Sequence, residues 1–386
     1  MTRVTGAWLN ARGTQQVMAL LETAGHQALA VGGCVRNALL GAPVSDVDIS
    51  TDARPERVME LAKAAGLKPV PTGIDHGTVT VVAHGEGYEV TTFRADVETD
   101  GRRAVVRFAD TIEEDALRRD FTMNALYADR RGQVQDPLGG LPDLTARRIR
   151  FIEDAATRIR EDYLRTLRFF RFFAWYGDPA QGIDAEALAA IADNLDGLSR
   201  LSRERIGAEM LKLLQAADPV MAVSVMERTG VLSAVLPGAV GRGLGPLSLA
   251  EQVLGLEPEP IRRLAITGFR DADALRLSKA QARRLTDLAA FSEAPGGLAE
   301  IAWRHGADVA RDVAALRAAA LEMPADPAVL PVIQEAAQAV FPISPADLMP
   351  GLQGPDLGRA IRTLETLWID SGFALDRETL LASLKG

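Results

Sequence analysis

The chain has 386 residues, 47% of them hydrophobic, and this length and apolar content predict two or three domains with buried cores. Its 43 basic and 52 acidic side chains give a net charge of −9, which argues against a general nucleic-acid coat protein but does not exclude a local RNA site. The sequence has no recognisable signal peptide and no apolar run of about 18 residues, and its single cysteine is Cys34. We therefore expect a soluble cytoplasmic protein with no membrane segment and no internal disulfide.

Strand-like and helix-like segments alternate over the first 140 residues. The apolar patterns predict helices at residues 17–23, 55–65 and 111–127, and strands at residues 28–31, 44–50, 78–83 and 88–93. The polar, glycine-containing stretch at residues 94–103 predicts a mobile loop, and the turn sequence DPLGG at residues 136–140 ends this part of the chain.

Strand signals fade after residue 141. Long helices are predicted at residues 158–176 and 202–214, and Ala- and Leu-rich helical patterns broken by Pro-Gly turns follow to the end. We therefore predict an α+β fold in three parts. A head at residues 1–140 has a small mixed sheet with flanking helices, and it is followed by a helical neck at 141–215 and a helical body and tail at 216–386.

The segment VGGCVRNALLGAPVSDVDIS at residues 31–50 combines a Gly-Gly turn with an Asp-x-Asp pair. Gly32 and Gly33 leave backbone N–H groups open at the start of a helix, an arrangement that suits a phosphate. Alternation along a strand would project Asp46 and Asp48 from one face, where their mutual repulsion favours a hard divalent cation such as Mg²⁺. Each feature alone is typical of an ordinary turn or a solvated strand, but together they predict phosphoryl transfer from a nucleoside triphosphate.

Glu89, in the β-rich segment YEVTTFR, could supply a third carboxylate. If its strand pairs beside the one that carries Asp46 and Asp48, Glu89 could ligate a metal or accept the proton of an attacking hydroxyl. An ordinary strand-edge glutamate is an equally open alternative.

The segment LRRDFTMNAL at residues 117–126 places Arg119, Asp120 and Asn124 on one predicted helix. Arg119 could neutralise a triphosphate, and Asp120 and Asn124 would share a face that could hold ribose hydroxyls. Residues 101–171 carry fifteen arginines against twelve acids, a balance of +3 that leaves −12 for the rest of the chain. We therefore expect any phosphate-binding surface around this segment, with self-contained surface ion pairs as the alternative.

The segment EDYLRTLRFFR at residues 161–171 pairs an acceptor, Asp162, with a donor, Arg165, three residues on. Cytosine and adenine each present an amino donor beside a ring-nitrogen acceptor, so this pair would accept C and A and reject U and G by about 1–3 kcal/mol. Arg168 and Arg171 continue the spacing and could converge on phosphates, although they turn progressively around the helix. An ordinary surface salt bridge between Asp162 and Arg165 is the alternative.

Taken together, these motifs resemble those of bacterial tRNA nucleotidyltransferases, the family that includes CCA-adding enzymes and bacterial poly(A) polymerases within the DNA polymerase beta-like superfamily. The resemblance covers roughly residues 14–215 and depends on VGGCVRNALLG, SDVDIS, YEVTTFR, RRDFTMNAL, EDYLRTLRFFR and LSRERIGAEMLKLL. It implies a polymerase-beta-like nucleotidyltransferase head and a CCA-adding activity, in which a tRNA 3′-hydroxyl attacks CTP twice and then ATP, and pyrophosphate leaves.

The resemblance also implies roles for individual residues. Asp46 and Asp48 match the family's metal-binding aspartates, which would bridge two Mg²⁺ ions. Asp162 and Arg165 match the amino-acid template that reads the incoming base, and Glu204 and Arg205 lie in the motif that braces it. The other positions matched to nucleotide contacts are Gly33, Arg36, Arg119, Arg168 and Arg171.

Two further segments bear on the resemblance. Residues 94–108 resemble the flexible loop needed for A addition, which CC-adding relatives lack. Asn37 stands where the family usually has Asp, a change that could loosen a contact to a neighbouring arginine. We expect the helical body to grip the acceptor and T arms of tRNA by shape and phosphates; the sequence does not fix the oligomeric state.

Other interpretations are less favoured. A poly(A) polymerase on the same scaffold should carry a strongly basic segment between residues 48 and 78, which is absent, and the loop-like residues 94–108 argue against CC-only addition. The intact Asp46, Asp48, Asp162 and Arg165 argue against a catalytically inactive RNA-binding protein. A Rossmann-type dinucleotide site would need a third, spaced glycine after the Gly-Gly turn.

Overall fold

The computed structural model describes residues 2–100, 103–349 and 351–384. These described residues form two compact units. The first comprises the chain up to Leu213 together with Met221–Val235, and the second comprises Leu214–Val220 and the chain from Leu236 onward. The division into head, neck and body predicted above stays a prediction.

Every strand of the described residues lies in the first unit. They are β1 (Leu29–Val31), β2 (Asp48–Thr51), β3 (Lys68–Gly73), β4 (Thr78–Ala83), β5 (Glu86–Thr92), β6 (Arg94–Asp100), β7 (Arg103–Phe108), β8 (Tyr127–Ala128) and β9 (Val134–Gln135). Within the described residues, a mixed sheet has the order β3-β4-β5-β2-β1-β8-β9, and β6 pairs with β7 in a separate hairpin. The β2–β5 pair is parallel, and the other pairs are antiparallel.

Helices flank the sheet and recur along the rest of the described chain, where turns and loops join them. They are α1 (Ala7–Asn10), α2 (Arg12–Thr23), α3 (Gly33–Leu40), α4 (Pro55–Ala64), α5 (Ile112–Leu117), α6 (Leu141–Thr145), α7 (Ala155–Glu161), α8 (Leu164–Tyr176), α9 (Ala185–Asp193), α10 (Arg203–Leu214), α11 (Val220–Arg228), α12 (Val231–Val235), α13 (Leu244–Val253), α14 (Pro260–Ile266), α15 (Lys279–Glu293), α16 (Leu298–His305), α17 (Ala307–Ala320), α18 (Val329–Gln338), α19 (Gly354–Asp370) and α20 (Arg377–Ser383).

The sheet forms because its strands alternate apolar and polar residues. Val79, Val81 and Ala83 of β4 are buried while their neighbours are partly exposed, and helices α2 and α4 pack on these strands. The predicted α+β fold, with a small mixed sheet followed by helices, is confirmed. The predicted helices at residues 17–23, 55–65 and 202–214 correspond to α2, α4 and α10, and the predicted strands at 28–31, 78–83 and 88–93 correspond to β1, β4 and β5.

The strand predicted at residues 44–50 is wrong at its start, because β2 begins at Asp48 and leaves Asp46 outside the strand. The reason is the lack of a partner for residues 44–47. Strand β1 extends over three residues and pairs with Ile49 and Ser50, and β5 pairs with β2 from Glu89 onward. Asp46 and Asp48 therefore do not project from one strand face by alternation.

Two predicted helices are interrupted by tertiary packing. The helix predicted at 111–127 ends at Leu117, and a short 3₁₀ turn at Thr122–Asn124 and strand β8 follow, since Phe121 turns inward against the ring of Phe151. The helix predicted at 158–176 breaks at Asp162, which has extended backbone between α7 and α8. The loop predicted at residues 94–103 is wrong, because residues 94–100 and 103 lie in the strands of the β6–β7 hairpin. Residues 101 and 102 lie outside the described residues.

No helix among the described residues combines the length and the apolar character needed to cross a bilayer.

The second unit encloses a buried ion-pair network. The carboxylate of Glu251 on α13 lies 2.8 Å from Arg262 and 2.7 Å from Arg263, both on α14, and Asp312 on α17 lies 2.6 Å from Arg262. All four residues are buried. Because a buried charge that loses its partner is costly, this network should determine how α13 and α14 pack.

We predict that Glu251→Gln lowers the free energy of unfolding by about 3–5 kcal/mol, since it leaves the buried guanidinium of Arg263 without its carboxylate. The midpoint of urea unfolding, followed by circular dichroism, measures the effect. Glu335→Gln, on an exposed position of α18, is the matched control. Equal midpoints for the two variants would show that the network contributes nothing to stability.

Candidate functional site

Asp48 and Glu89 face each other at one end of the parallel β2–β5 pair. Their Cα atoms are register partners, and both residues are exposed. They line a cavity of about 250 Å³ in the first unit. Its other lining residues are Val31, Ile49, Ser50, Thr78, Thr91, Arg94, Arg118 and Arg119. The expectation that the strand of Glu89 pairs beside that of Asp48 is therefore correct, and two carboxylates and three arginines share one cleft.

Asp48 lies in an unfavourable electrostatic environment for a carboxylate. The surrounding protein displaces part of its water and raises its pKa, the charges of Glu89 and Asp46 raise it further, and Arg119 opposes them. Asp46 is exposed, accepts a hydrogen bond of 2.9 Å from the Ser45 hydroxyl, and does not line the cavity. Within the described ranges, no group of three or more His, Cys, Asp or Glu residues has an arrangement able to hold a metal ion.

The Gly-Gly turn joins β1 to α3. Gly32 has φ 71°, a left-handed conformation that glycine adopts without strain, and a Cβ there would lie 3.4 Å from Nη1 of Arg119. The N–H group of Gly32 donates to the carbonyl of Leu126, so it is engaged within the protein. Gly33 begins α3, and a Cβ there would lie 3.8 Å from Nη2 of Arg36. The turn therefore brings the backbone close to two of the predicted site arginines.

Arg119 is held at the cleft by a carboxylate that sequence reasoning missed. Asp115 is fully buried, and its Oδ2 lies 2.9 Å from Nη2 of Arg119 and accepts a hydrogen bond of 2.8 Å from the Tyr127 hydroxyl. Its Oδ1 accepts from Nε of Arg118 at 3.0 Å. Burial alone would raise the pKa of Asp115, but the two arginines outweigh it and hold the pKa at about 2.

Asp120 and Asn124 meet, although not as neighbours on a helix. Asn124 Nδ2 donates to Asp120 Oδ1 at 2.8 Å, and Arg168 on α8 donates to Asp120 Oδ2 from Nε at 2.7 Å. Asn124 Oδ1 in turn accepts from Nη1 of Arg36 at 2.5 Å. Asp120, Asn124 and Arg36 are buried, so this network leaves their polar groups bonded to protein rather than open to a ribose.

Three predicted arginines cluster on one aromatic ring. The guanidinium carbons of Arg36, Arg168 and Arg171 lie 5.1, 5.4 and 4.6 Å from the ring centre of Phe172. Arg171 also lies 2.6 Å from Glu209 on α10. The nucleotide contacts predicted for these arginines stay predictions. Their convergence places three positive charges at one point of the first unit.

Asp162 and Arg165 have separate partners in this structure. Asp162 Oδ2 lies 2.6 Å from Arg205 on α10, and its Oδ1 accepts from the N–H of Leu164 at 3.1 Å. Arg165 lies 2.5 Å from Glu161 and donates to the carbonyl of Arg118 at 2.9 Å. Within the described part of the chain, the side chains of Asp162 and Arg165 form no salt bridge with each other. Arg205, which belongs to the motif expected to brace the template, pairs with Asp162 directly.

Four residues that hold predicted arginines were missing from the sequence-based site. Asp115 is three residues before Arg118 and four before Arg119, a helical spacing that could have identified it. Phe172 directly follows Arg171, whereas Glu209 and Tyr176 lie 38 and 140 residues along the chain from Arg171 and Arg36. A larger cavity of about 540 Å³, lined in part by Phe151, Asp154 and Asp184, contains none of the predicted site residues.

Comparisons with known proteins bear on the family of the chain. Residues 28–150 match a family described as the poly A polymerase head domain, and residues 182–240 match one described as the probable RNA and SrmB-binding site of polymerase A. The mitochondrial CCA tRNA nucleotidyltransferase 1 of Mus musculus is 30% identical over 390 residues, an alignment that covers 97% of this chain and 90% of the mouse protein. The CCA-adding enzyme of Geobacillus stearothermophilus is 43% identical over 224 residues, which cover 58% of this chain and 54% of that enzyme.

Solved structures are similar along nearly the whole chain. The Bacillus stearothermophilus CCA-adding enzyme in complex with CTP has a TM-score of 0.75 and 29% identity and covers 93% of each chain. The Thermotoga maritima CCA-adding enzyme complexed with tRNA has a TM-score of 0.70 at 18% identity, covers 100% of each chain, and supports the fold alone.

We predict that Asp115→Asn lowers the free energy of unfolding by about 2 kcal/mol at pH 7, because the pKa of Asp115 falls from 3.8 to about 2 on folding. A depressed pKa stabilises the fold above the unfolded value and loses its effect as pH falls through the folded value. The difference between wild type and variant should therefore stay constant from pH 7 to pH 5 and shrink below about pH 4.

Urea unfolding at a series of pH values measures this difference. Asp193→Asn, at an exposed position of α9, is the matched control and should show no such trend. A wild-type advantage that persists unchanged to pH 3 would contradict the assignment of Asp115.

Proposed function

The chain belongs to the family of CCA tRNA nucleotidyltransferases, and from this premise we propose that it adds C, C and A to the 3′ end of tRNA, taking CTP and ATP as substrates and releasing pyrophosphate. The observation that carries the proposal is the cleft in which Asp48 and Glu89 are register partners beside Arg118 and Arg119. This cleft lies within residues 28–150, the segment that matches the poly A polymerase head domain.

The family is one of generally metal-dependent nucleotidyltransferases, and we propose Mg²⁺ as the metal of this chain. The donor groups suit this ion. Asp46 and Asp48 supply hard carboxylate oxygens whose negative charges repel each other, and Glu89 adds further negative charge. Mg²⁺ commonly takes one or two carboxylates and completes its shell with water and substrate phosphates, so a cluster of three protein ligands is not required. When bound, the metal would supply charge neutralisation at the transferred phosphate and a more acidic attacking hydroxyl.

The other residues of the proposed site divide by the part of the nucleotide they would face. Arg36, Arg119, Arg168 and Arg171 would bind the triphosphate, with Gly33 allowing its close approach at the start of α3. Asp120 and Asn124 would serve the ribose site indirectly, by fixing Arg168 and Arg36. Glu89 would ligate the metal or accept the proton of the tRNA 3′-hydroxyl.

Asp162 and Arg165 would read the base of the incoming nucleotide. To do so, Asp162 must exchange Arg205 for an amino group, and Arg165 must exchange Glu161 for a ring nitrogen. We propose tRNA as the partner, with the helical body gripping it. The division into head, neck and body and a cytoplasmic location remain expectations from the sequence.

We predict that Asp48→Asn and Asp46→Ala each reduce extension of tRNA by about a thousandfold or more, since they remove ligands of an ion that contributes several kcal/mol to catalysis. The assay supplies tRNA lacking its 3′ end with CTP alone, ATP alone or both. Two added nucleotides with CTP and three with both support CCA addition. Chelation of divalent cations should abolish extension, and Mg²⁺ should restore it.

Asp193→Asn is the matched control and should extend tRNA as wild type does. A long A tail on unrelated RNA would indicate a poly(A) polymerase, and addition that stops after two C residues would indicate a CC-adding enzyme. Undiminished extension by Asp48→Asn would refute the proposed site.

We predict that Asp162→Ala relaxes base selection by about 10- to 100-fold, because a lost bidentate contact removes about 1–3 kcal/mol of discrimination. The ratio of kcat/KM for CTP to that for UTP measures it. Glu186→Ala, at an exposed position of α9, is the control. A ratio unchanged from wild type would exclude Asp162 from the template.

A further inference from the structure

Arg118 lines the cleft that contains the two register-paired carboxylates, although the sequence motifs assigned a role only to its neighbour Arg119. Helix α5 ends at Leu117, and the two arginines follow its last residue. Consecutive side chains of a helical turn point about 100° apart, which would carry one of the two away from the cleft. In this structure both reach the cleft, and the partner that they share explains why.

Asp115 holds both arginines from one turn earlier in the chain. Its Oδ1 accepts a hydrogen bond of 3.0 Å from Nε of Arg118, and its Oδ2 lies 2.9 Å from Nη2 of Arg119. Spacings of three and four residues place all three side chains on one face of the turn. Because Asp115 is fully buried and also accepts from the Tyr127 hydroxyl at 2.8 Å, it fixes where the two guanidinium groups lie.

Part of each guanidinium group has no acceptor in the protein. Within the described chain, Nη1 and Nη2 of Arg118 donate to no residue, since its one side-chain hydrogen bond uses Nε. Nη1 of Arg119 also donates to none of the described residues, and it lies at the glycine turn, 3.4 Å from where a Cβ of Gly32 would be. The two arginines therefore present several N–H donors in one cleft, which suits a ligand with several anionic oxygens.

The cleft fits the phosphate end of a nucleotide better than its base. Its volume of about 250 Å³ is below the roughly 300–1,000 Å³ of pockets that enclose a drug-sized ligand. None of the described residues that line it is aromatic, so a base would have no ring to stack on, and Asp162 and Arg165 do not line it either. The metal-binding carboxylates would hold the α-phosphate, which the tRNA hydroxyl attacks. The arginines beside them would then face the β- and γ-phosphates.

We propose that Arg118 is a substrate-binding residue that, together with Arg119, binds the β- and γ-phosphates of the nucleoside triphosphate, the part that leaves as pyrophosphate. This inference depends on the proposed function, since it takes the α-phosphate to lie at the metal-binding carboxylates of the same cleft. The alternative is that Arg118 only forms an ion pair with Asp115. Arg57 provides the comparison, because it pairs with Glu60 at the same three-residue spacing, at 3.2 Å on exposed helix α4, and does not line the cleft.

Two substitutions at one position test the inference. Arg118→Gln removes the charge and the Nη donors, and it should weaken binding of CTP, ATP and inorganic pyrophosphate by about 10- to 100-fold, as expected for a lost charged hydrogen bond. Binding of CMP, which lacks the β- and γ-phosphates, should change by less than about 2-fold. Arg118→Lys keeps the charge but loses the planar pair of donors, so its losses should be intermediate. In both variants kcat/KM for CTP should fall with CTP binding, and KM for tRNA should not move.

Equilibrium titration of the full chain with CTP, ATP, CMP and pyrophosphate, in the presence of Mg²⁺, measures these losses without requiring turnover. Arg57→Gln is the matched control, because it also removes an arginine that pairs with a carboxylate three residues away. If Arg118→Gln does not fold, Arg118→Lys is compared with the control in the same way. Binding of CTP and pyrophosphate equal to that of the control, or an equal loss for CTP and CMP, would overturn the inference. A wild-type chain that binds CTP and pyrophosphate but fails to extend tRNA would instead overturn the proposed function.

Discussion

The carboxylate of Asp120 is the interaction on which the arrangement of the first unit depends. It accepts hydrogen bonds from Asn124, from Arg168 on α8 and from the N–H of Phe121, and it is buried. Asn124 in turn accepts a hydrogen bond from Arg36 on α3. One buried charge therefore ties the glycine-turn helix to the long helix α8. Because a buried carboxylate is tolerated only when fully bonded, each of these elements has a single favourable position.

The arginines of the proposed site have two kinds of partner. Arg119, Arg168 and Arg171 have carboxylate partners that keep them charged, fixed and largely compensated. Arg36 is fixed as firmly by neutral groups and an aromatic face. Both kinds of partner fix a guanidinium in place, so these arginines can keep their positions when no ligand is bound.

The sequence predicted the residue types of the site better than their geometry. Local patterns located β1, β4, α2, α4 and α10, because in these elements the apolar period and the tertiary environment agree. Asp46 and the turn after Leu117 were misplaced because their conformation is decided by distant partners: the length of β1 in one case and the ring of Phe151 in the other.

Some partners of the site arginines could not be read from the sequence. Asp115 is four residues before Arg119, a helical spacing visible in the sequence. Glu209 and Tyr176, in contrast, reach their arginines through the fold, across 38 and 140 residues of chain. The same is true of Asp162, whose observed partner, Arg205, is 43 residues away along the chain. The proximity of Asp162 and Arg165 in sequence left a mutual salt bridge open as the alternative to base reading, but Asp162 pairs with Arg205 and Arg165 pairs with Glu161.

The contacts of Arg165 connect the proposed base-reading pair to the cleft that contains Asp48 and Glu89. Arg165 donates to the carbonyl of Arg118, whose side chain lines the cleft and shares Asp115 with Arg119. If a base draws Arg165 away from Glu161, the carboxylate of Glu161 keeps Arg158 as a partner at 2.5 Å. The exchange therefore strands no buried charge, and its cost stays small. If Asp162 and Arg165 form the template as proposed, they can exchange partners toward a base while the contact from Arg165 to the backbone of Arg118 keeps them next to the cleft.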